Sequence, residues 1–290
     1  MKKVNWVIDK YLFDEYENNL VSNIKLSSAN VHFYDDLCGI SFREFMTNKF
    51  TDNDIVVFHG SLQHGKQLSH LPIYPGTFMS IDNYECYNYY GYFGDNLLNS
   101  DYIMMGFNDL LRNKEKIFNY FNTIKKSKQD GIFIRPSNGY KTFAGQLLSY
   151  DNFEREYNVL LQSYGGVEPN TLVLVSNKQN IIEEYRFTII DGVIINGSTY
   201  FDSENIGTFN PHYNKLCKNE EVIEFTNKMV QLYQPDKAYT IDVCKTNKGE
   251  YKLLELNSFN CASMYGNSTI ELVNAVNELT IKEYNELFEI

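Results

Sequence analysis

The stretch YTIDVCKTNKGEYKLLELN, residues 239–257, places Asp242, Glu255 and Asn257 among residues that otherwise read as buried strand. Side chains alternate along a strand, so Glu255 and Asn257 share one face while Leu254 and Leu256 are expected to pack on the other. A two-residue Lys248-Gly249 turn would set Asp242 directly opposite Glu255, with Cβ atoms roughly 4.5–5.5 Å apart. A turn one residue earlier would set Asp242 against Leu253, with Glu255 on the diagonal. Two carboxylates this close on a partly buried face repel each other and are costly to desolvate. A divalent cation compensates both, and hard oxygen donors suit Mg²⁺, which keeps several waters and is completed by phosphate oxygens. The plain alternative is an exposed hairpin with a solvated polar face.

Other candidates lie upstream. Arg135 stands at the end of an apolar run, before Pro136 and a loop that contains Gly139, Lys141 and Gly145. A planar, permanently charged fork there is suited to phosphate, and Lys141 would add a point charge; the glycines read as turns or as close backbone approaches. Glu184 and Arg186 alternate onto one face of a second hairpin, where a surface ion pair is the ordinary reading. His59, His64 and His70 match no zinc spacing and are expected to be solvated or to face substrate. Cys261 reads as a small buried thiol rather than a nucleophile.

These residues need strands to hold them. Val4–Ile8, Val31–Tyr34 and Asp54–His59 read as strands, with Phe42–Lys49 a helix between the last two, so the first hundred residues suggest a small α/β unit with a parallel sheet. The aromatic-rich stretch from Tyr74 to Met105 shows no clean period, and its rings are expected to fill space between subdomains rather than stack on bases. Asp109–Lys126 reads as helix. GIFIRPSNGYKTFAGQLLS and EYRFTIIDGVIINGSTY read as β-hairpins, the second through an Asp191-Gly192 tight turn; TLVLVSN is a short buried strand between them. A helix is expected over Glu220–Tyr233, ended by Pro235. Ser268-x-x-Glu271 and Thr280-x-x-Glu283 are capping-box patterns, each ahead of an apolar-periodic run.

Composition narrows the function. The 290 residues carry a formal net charge of −11 and 15% aromatic residues. No basic tract exceeds Lys125-Lys126, which disfavours nucleic acid as a partner. Five cysteines without a C-x-x-C pair fit reduced thiols in the cytoplasm. The charged N-terminus and the lack of any long apolar run point away from a signal peptide and a membrane span.

Asp242 followed thirteen residues on by Glu255-x-Asn257 resembles the metal-binding end of the ATP-grasp ligases, the superfamily of D-alanine–D-alanine ligase and glutathione synthetase. IFIRPSNGYKTFAG resembles that superfamily's first nucleotide-binding hairpin, with Arg135-Pro136 where Lys-Pro is usual, and EYRFTIIDGVIINGSTY resembles its following Glu-x-Arg hairpin. An Arg in place of the first Lys, with Lys141 after it, is similar to the clade named for one arginine and two lysines, many of whose members occur in bacteriophages. Lys178 and Lys245 are both open as the second lysine. The resemblance covers roughly residues 100–275. It implies an ATP-grasp fold of mixed α+β and α/β class: an N-terminal α/β pre-ATP-grasp subdomain over residues 1–100, then two subdomains enclosing the nucleotide over 101–290. Nucleotide-binding hairpins would span about 130–200, the metal hairpin 239–257 and the C-terminal helices 268–290.

By the same resemblance Asp242, Glu255 and Asn257 hold two Mg²⁺ ions, and Arg186 is the catalytic cation on the transferred phosphoryl group. Arg135, Lys141 and Glu184 bind ATP, while Val175 and Ser176 sit where the family contacts adenine, although Ser176-Asn177-Lys178 departs from the usual Glu. The implied reaction joins a small-molecule or peptide carboxylate to an amine through an acyl phosphate, releasing ADP and phosphate. Two other readings are an ATP-binding module without ligase activity and an ATP-dependent phosphotransferase.

Overall fold

The computed structural model describes residues 2–10, 18–121, 131–162, 166–203 and 215–289. Residues Met1–Ser80 and Ile182–Ile290 form one compact unit and Ile81–Ile181 another.

The chain opens as three apolar runs that pair in parallel: β1 (Val4–Asp9), β2 (Asn30–Tyr34) and β3 (Ile55–His59). Helix α1 (Asn18–Leu26) joins the first two strands and α2 (Phe42–Lys49) the next two. The α2 helix begins at Ser41, whose hydroxyl accepts from Glu44 N–H at 3.2 Å and satisfies a donor the first turn leaves unpaired. A short α3 (Leu62–Leu68) leads to β4 (Tyr74–Gly76), completing the sheet order β2-β1-β3-β4. Alternation along the strands makes two cores. Val7, Val56 and Phe58 pack with Phe42 and Met46, whereas Trp6, Ile8 and Val57 pack with the C-terminal helix and the loop that follows Asn257.

In the second unit, α4 (Cys86–Phe93) buries Cys86, Tyr89, Tyr90 and Phe93, an i, i+3, i+4, i+7 stripe. The sequence hides this helix because Tyr87 and Tyr92 put aromatics on its exposed face as well. Next come β5 (Tyr102–Gly106), α5 (Phe107–Arg112), α6 (Lys114–Tyr120), β6 (Gly131–Pro136), β7 (Gln146–Ser149), α7 (Phe153–Leu161) and β8 (Leu172–Asn177). The expected Asp109–Lys126 helix is broken at Asn113, whose φ of −111° and ψ of 11° leave the helical region; residues 122–126 lie outside the described residues. The four strands form an antiparallel sheet in the order β5-β8-β6-β7.

The chain then returns to the first unit through two long hairpins. Strands β9 (Ile181–Ile190) and β10 (Val193–Asp202) turn at Asp191-Gly192, both in the left-handed region (φ 49° and 78°), as the tight turn requires. After a short β11 (Lys215–Leu216) and helix α8 (Glu220–Leu232), strands β12 (Ala238–Thr246) and β13 (Tyr251–Ser258) complete a sheet ordered β11-β10-β9-β12-β13. The 19-residue α9 (Ile270–Phe288) closes the unit. Its cap is Thr269, not Ser268: the Thr269 hydroxyl accepts from Leu272 N–H at 3.2 Å. The second capping pattern starts no helix, because Thr280 lies inside α9 and donates its hydroxyl to Val276 O at 2.6 Å.

The β12–β13 register has a different origin from the one expected. The turn is a three-residue loop, Asn247-Lys248-Gly249, with Gly249 at φ 81° and Thr246 N–H bonded to Glu250 O at 2.9 Å. That loop pairs Lys245 with Tyr251 and Val243 with Leu253; a bulge at Leu254 then restores Asp242 opposite Glu255. The bulge also changes which leucines are buried, so Leu253 and Leu256 enter the core and Leu254 stays half-buried.

Asn260 fixes the segment after β13 to the parallel sheet. Its Oδ1 accepts from Phe78 N–H at 2.6 Å, its Nδ2 donates to Phe58 O, and its own carbonyl accepts from Gly60 N–H at 2.7 Å. Asn260→Ala leaves a buried N–H and a buried carbonyl without partners, at roughly 1–3 kcal/mol each. Urea denaturation should show a loss of about 3 kcal/mol, whereas the exposed Asn53→Ala should change stability by less than about 0.5 kcal/mol.

Candidate functional site: a buried ion pair on a polar sheet face

One face of the five-stranded sheet is polar where its neighbour is a core. On β9, Tyr185, Phe187 and Ile189 are buried apolar positions, while the alternating Glu184, Arg186 and Thr188 take the opposite face. Ser198 pairs with Arg186, Thr240 with Asn257 and Asp242 with Glu255, so the polar face continues across four strands.

Arg186 and Asp242 meet at its centre. Arg186 Nε donates to Asp242 Oδ1 at 2.7 Å and Nη2 to Oδ2 at 2.6 Å, while Nη1 donates to Ser263 O at 3.0 Å. Both side chains are almost fully buried, at 6% and 1% exposure. The ordinary reading of Glu184 and Arg186 as a surface ion pair does not hold for Arg186: its partner comes from the other hairpin, and the pair is out of water. Burial works against the guanidinium's charge, but the charge and hydrogen bonds of Asp242 outweigh it and hold Arg186 protonated. Asn257 Nδ2 reaches Glu255 Oε1 at 3.0 Å and Asp242 Oδ2 at 3.3 Å, so the predicted Asp-Glu-Asn set is assembled. Burial, then the charges of Asp242 and Glu255, push the Glu184 carboxyl up, against the Tyr200 hydrogen bond and Arg186.

Two tyrosines that sequence reasoning missed cover this pair. Tyr200 and Tyr265 stack with ring centroids 4.8 Å apart and planes 15° apart. The Arg186 Cζ lies 4.8 Å from the Tyr265 centroid and 5.8 Å from that of Tyr200. Tyr265 is held at φ 49°, a left-handed conformation that costs a non-glycine residue roughly 1–2 kcal/mol. Asn267, also missed, donates its Nδ2 to Arg186 O at 3.0 Å and ties the loop to the middle of β9. The only signal in the sequence was the position of this loop, directly after Glu255-x-Asn257. Several buried oxygens nearby, Thr188 Oγ1, Ser198 Oγ, Thr240 Oγ1 and Asn267 Oδ1, have no hydrogen-bond partner among the described residues. Such groups are rare in native folds and concentrate where a ligand, ion or water completes them.

The remaining predicted residues lie on the second unit. Arg135 pairs with Leu174 on the central strand of the antiparallel sheet, half-buried at the end of β6. Lys141 is exposed in the β6–β7 loop at φ 52°. In that loop Ser137 Oγ, Asn138 Oδ1 and Thr142 Oγ1 are buried with no hydrogen-bond partner among the described residues; the two hydroxyls could donate to an anion, whereas the Asn138 oxygen can only accept. Gly139 and Gly145 have packing reasons: an added Cβ would meet Tyr84 Cβ at 3.1 Å and Phe133 Cζ at 2.6 Å. Val175 and Ser176 lie on β8, paired on both sides with β5 and β6, and the Ser176 hydroxyl is directed to Asn99 Oδ1 at 3.0 Å.

Of the three histidines expected to be solvated or to face substrate, two are not solvated. His59 and His64 are buried, and only His70 is exposed. His64 Nδ1 lies 2.9 Å from Asp9 Oδ2, and its ring stacks on Phe42 at 4.5 Å. Cys261 is half-buried, with its Sγ 3.6 Å from Met79 Sδ.

The family model for the ATP-grasp domain, R2K clade family 2, matches residues 112–275, more than half of the chain. The chain belongs to this ATP-grasp family. Among solved structures it is similar to the D-alanine–D-alanine ligase from Coxiella burnetii, with TM-score 0.63 and 12% identity over 99% of this chain and 98% of that one. D-cycloserine synthetase follows with TM-score 0.60 and 8% identity over 96% and 99%. A RiPP-associated ATP-grasp ligase from Chryseobacterium gregarium, in complex with ADP and a leader and core peptide, gives 0.54 and 11% over 100% and 97%. At these identities the shared property is the ATP-grasp fold. No curated protein matches the chain in sequence. Among the described residues no helix is long and apolar enough to cross a membrane.

The donor set of this ATP-grasp protein fits Mg²⁺ by chemistry. Two carboxylates, hard oxygen donors, converge, and the Asn257 carboxamide lies between them with its Nδ2 toward both. Among the described residues no group of three or more His, Cys, Asp or Glu that could hold a metal ion gathers at any point, this site included.

Two measurements test the electrostatics. Asp242→Leu strands a buried guanidinium and should cost about 3–5 kcal/mol in urea denaturation, whereas the double variant Arg186→Met, Asp242→Leu should recover most of it. For His64, burial lowers the pKa, but the hydrogen bond and charge of Asp9, with Asp36, outweigh it, so the net shift is upward. Its stabilisation is then complete below the unfolded value of about 6.5 and lost as pH rises through the higher folded value. The stability advantage of wild type over His64→Phe should shrink across that window.

Proposed function

We propose that this chain is an ADP-forming ligase that joins a carboxylate to an amine by way of an acyl phosphate. The observation that carries the reading is the convergence of Asp242, Glu255 and Asn257 beside the buried Arg186. A nucleotide-binding module without chemistry has no need of all three oxygen donors together with a desolvated cation.

Each residue has a role in this reading. Asp242, Glu255 and the Asn257 amide oxygen would hold Mg²⁺, two ions by family resemblance; when bound, the metal neutralises charge on the phosphate oxygens. Arg135 and Lys141, with the β6–β7 loop, would hold the ATP phosphates. Because Val175 and Ser176 are paired on both sides within the sheet, the adenine edge would fall to the end of β8 at Asn177 and the segment that follows it. Glu184 would help bind the nucleotide.

Arg186 is the electrostatic catalyst. Its guanidinium has five N–H groups, of which three serve Asp242 and Ser263. The other two can be offered to the oxygens of the transferring phosphoryl group, whose charge spreads in the transition state. A carboxylate oxygen attacks the γ-phosphorus and ADP leaves; the amine nitrogen then attacks the acyl carbon and phosphate leaves. No side-chain nucleophile is required. By analogy with the fold's D-alanine and peptide ligases, we read the substrates as amino-acid or peptide carboxylates and amines. The net charge of −11 argues against nucleic acid, and we read the protein as cytoplasmic, with a phage origin open by family resemblance.

Thermal denaturation with and without Mg²⁺-ATP tests the site. Ligand at a hundred times its dissociation constant should stabilise wild type by about 2.7 kcal/mol, and Glu255→Gln should lose most of that gain. A shift that is absent in wild type, or equal in the mutant, removes the support for the metal set. ADP release on addition of a carboxylate and an amine then separates ligase from phosphotransferase.

A further inference from the structure

The loop from Ser258 to Thr269 is fixed on two sides. Phe259, Ala262 and Met264 are buried in the core with Trp6, Ile8 and Val57. Asn267 is fully buried and bonded to the backbone of Arg186. Between Met264 and Asn267 the chain reverses, and the left-handed residue at the reversal is Tyr265 (φ 49°), although Gly266 is next to it. Glycine takes this conformation without penalty, so a strained tyrosine beside a glycine calls for a reason in its side chain. Filling the core is not that reason, since its neighbours already do so. The ring instead stacks on Tyr200 and covers the Arg186 guanidinium at 4.8 Å.

Building on the reading of Arg186 as the phosphoryl cation, we propose that Tyr265 is a positioning residue that locks the plane of the Arg186 guanidinium toward the γ-phosphoryl group. Asp242 fixes one edge of that plane, and a single hydrogen bond from Nη1 to the Ser263 carbonyl restrains its tilt about the Arg186–Asp242 axis. The Tyr265 ring adds to that restraint, because a guanidinium is attracted to the negative face of an aromatic ring, and the Arg186 Cζ lies over this one at 4.8 Å. The strained turn serves this geometry: it presents the Ser263 carbonyl and the Tyr265 ring to Arg186 from one short segment.

The test is isothermal titration of Mg²⁺-ADP and of a non-hydrolysable Mg²⁺-ATP analogue. It uses wild type, Arg186→Met, Tyr265→Gly, Tyr265→Asn and Tyr265→Phe, with a thermal melt of each. Gly and Asn both tolerate the left-handed turn, so they remove the ring while keeping the path of the loop. Wild type should prefer the triphosphate. Arg186→Met, Tyr265→Gly and Tyr265→Asn should each lose about tenfold of that preference, about 1.4 kcal/mol. The affinity of Tyr265→Gly and Tyr265→Asn for Mg²⁺-ADP should be unchanged and their melting cooperative, whereas Arg186→Met leaves the buried Asp242 carboxylate without its partner and should melt lower. Tyr265→Phe, which keeps the ring, should retain the preference.

If wild type binds neither nucleotide, the ligase reading fails and this proposal with it. If wild type shows the preference and Arg186→Met keeps it, Arg186 is not the γ-phosphoryl cation and nothing is left for Tyr265 to position. If Arg186→Met loses the preference but Tyr265→Gly and Tyr265→Asn keep it, the ligase reading stands and the role of Tyr265 is overturned. Loss of cooperative melting in both of those variants, or failure of Tyr265→Phe to retain the preference, overturns it as well.

Discussion

The contact between Arg186 and Asp242 makes the strongest demand on its surroundings. Removing a guanidinium and a carboxylate from water costs several kcal/mol each, and only good geometry and further hydrogen bonds return it. Much of the first unit meets that demand. The bulge at Leu254 brings Glu255 opposite Asp242, Asn257 bridges the two carboxylates, Ser263 supplies a carbonyl to Arg186, and two tyrosine rings cover it. A core of ordinary apolar residues in place of a buried ion pair is often as stable or more so, so folding stability alone does not account for the pair.

The parts of this arrangement that alternate along a single strand were legible in the sequence. Asp242, Glu255 and Asn257 stand out because their neighbours are Ile241, Val243, Leu253 and Leu256, and period-two alternation does the rest. Asp191-Gly192 announces its turn because two consecutive positive φ angles suit few other pairs. The partner of Arg186 was not legible, since it depends on which face two separate hairpins present to each other. The bulge was hidden in a run of two leucines, where either could be the extra residue.

Helices failed for different local reasons. Tyrosines on both faces of α4 masked its buried stripe. A threonine that satisfies its hydroxyl on its own helix, as Thr280 does, is indistinguishable in sequence from one that starts a new helix. The burial of His64 was not legible, because its partner, Asp9, is at the end of a strand fifty-five positions earlier.

The parallel sheet at the N-terminus takes on a second function when the loop after Glu255-x-Asn257 is followed through. That loop has an apolar side, Phe259, Ala262 and Met264, and a polar side, Ser263, Tyr265 and Asn267. The apolar side needs a core to enter, and the parallel sheet with α9 provides it; Asn260 then fixes the loop to the backbone of Phe58, Gly60 and Phe78. With one side held, the other can be set against Arg186 at a cost in backbone strain that an unsupported loop would relax. A strained residue persists only where its surroundings over-determine it. The N-terminal sheet thus contributes to the site without placing any of the predicted ligands: it supplies the rigidity that lets Tyr265 stay where a glycine would otherwise be favoured.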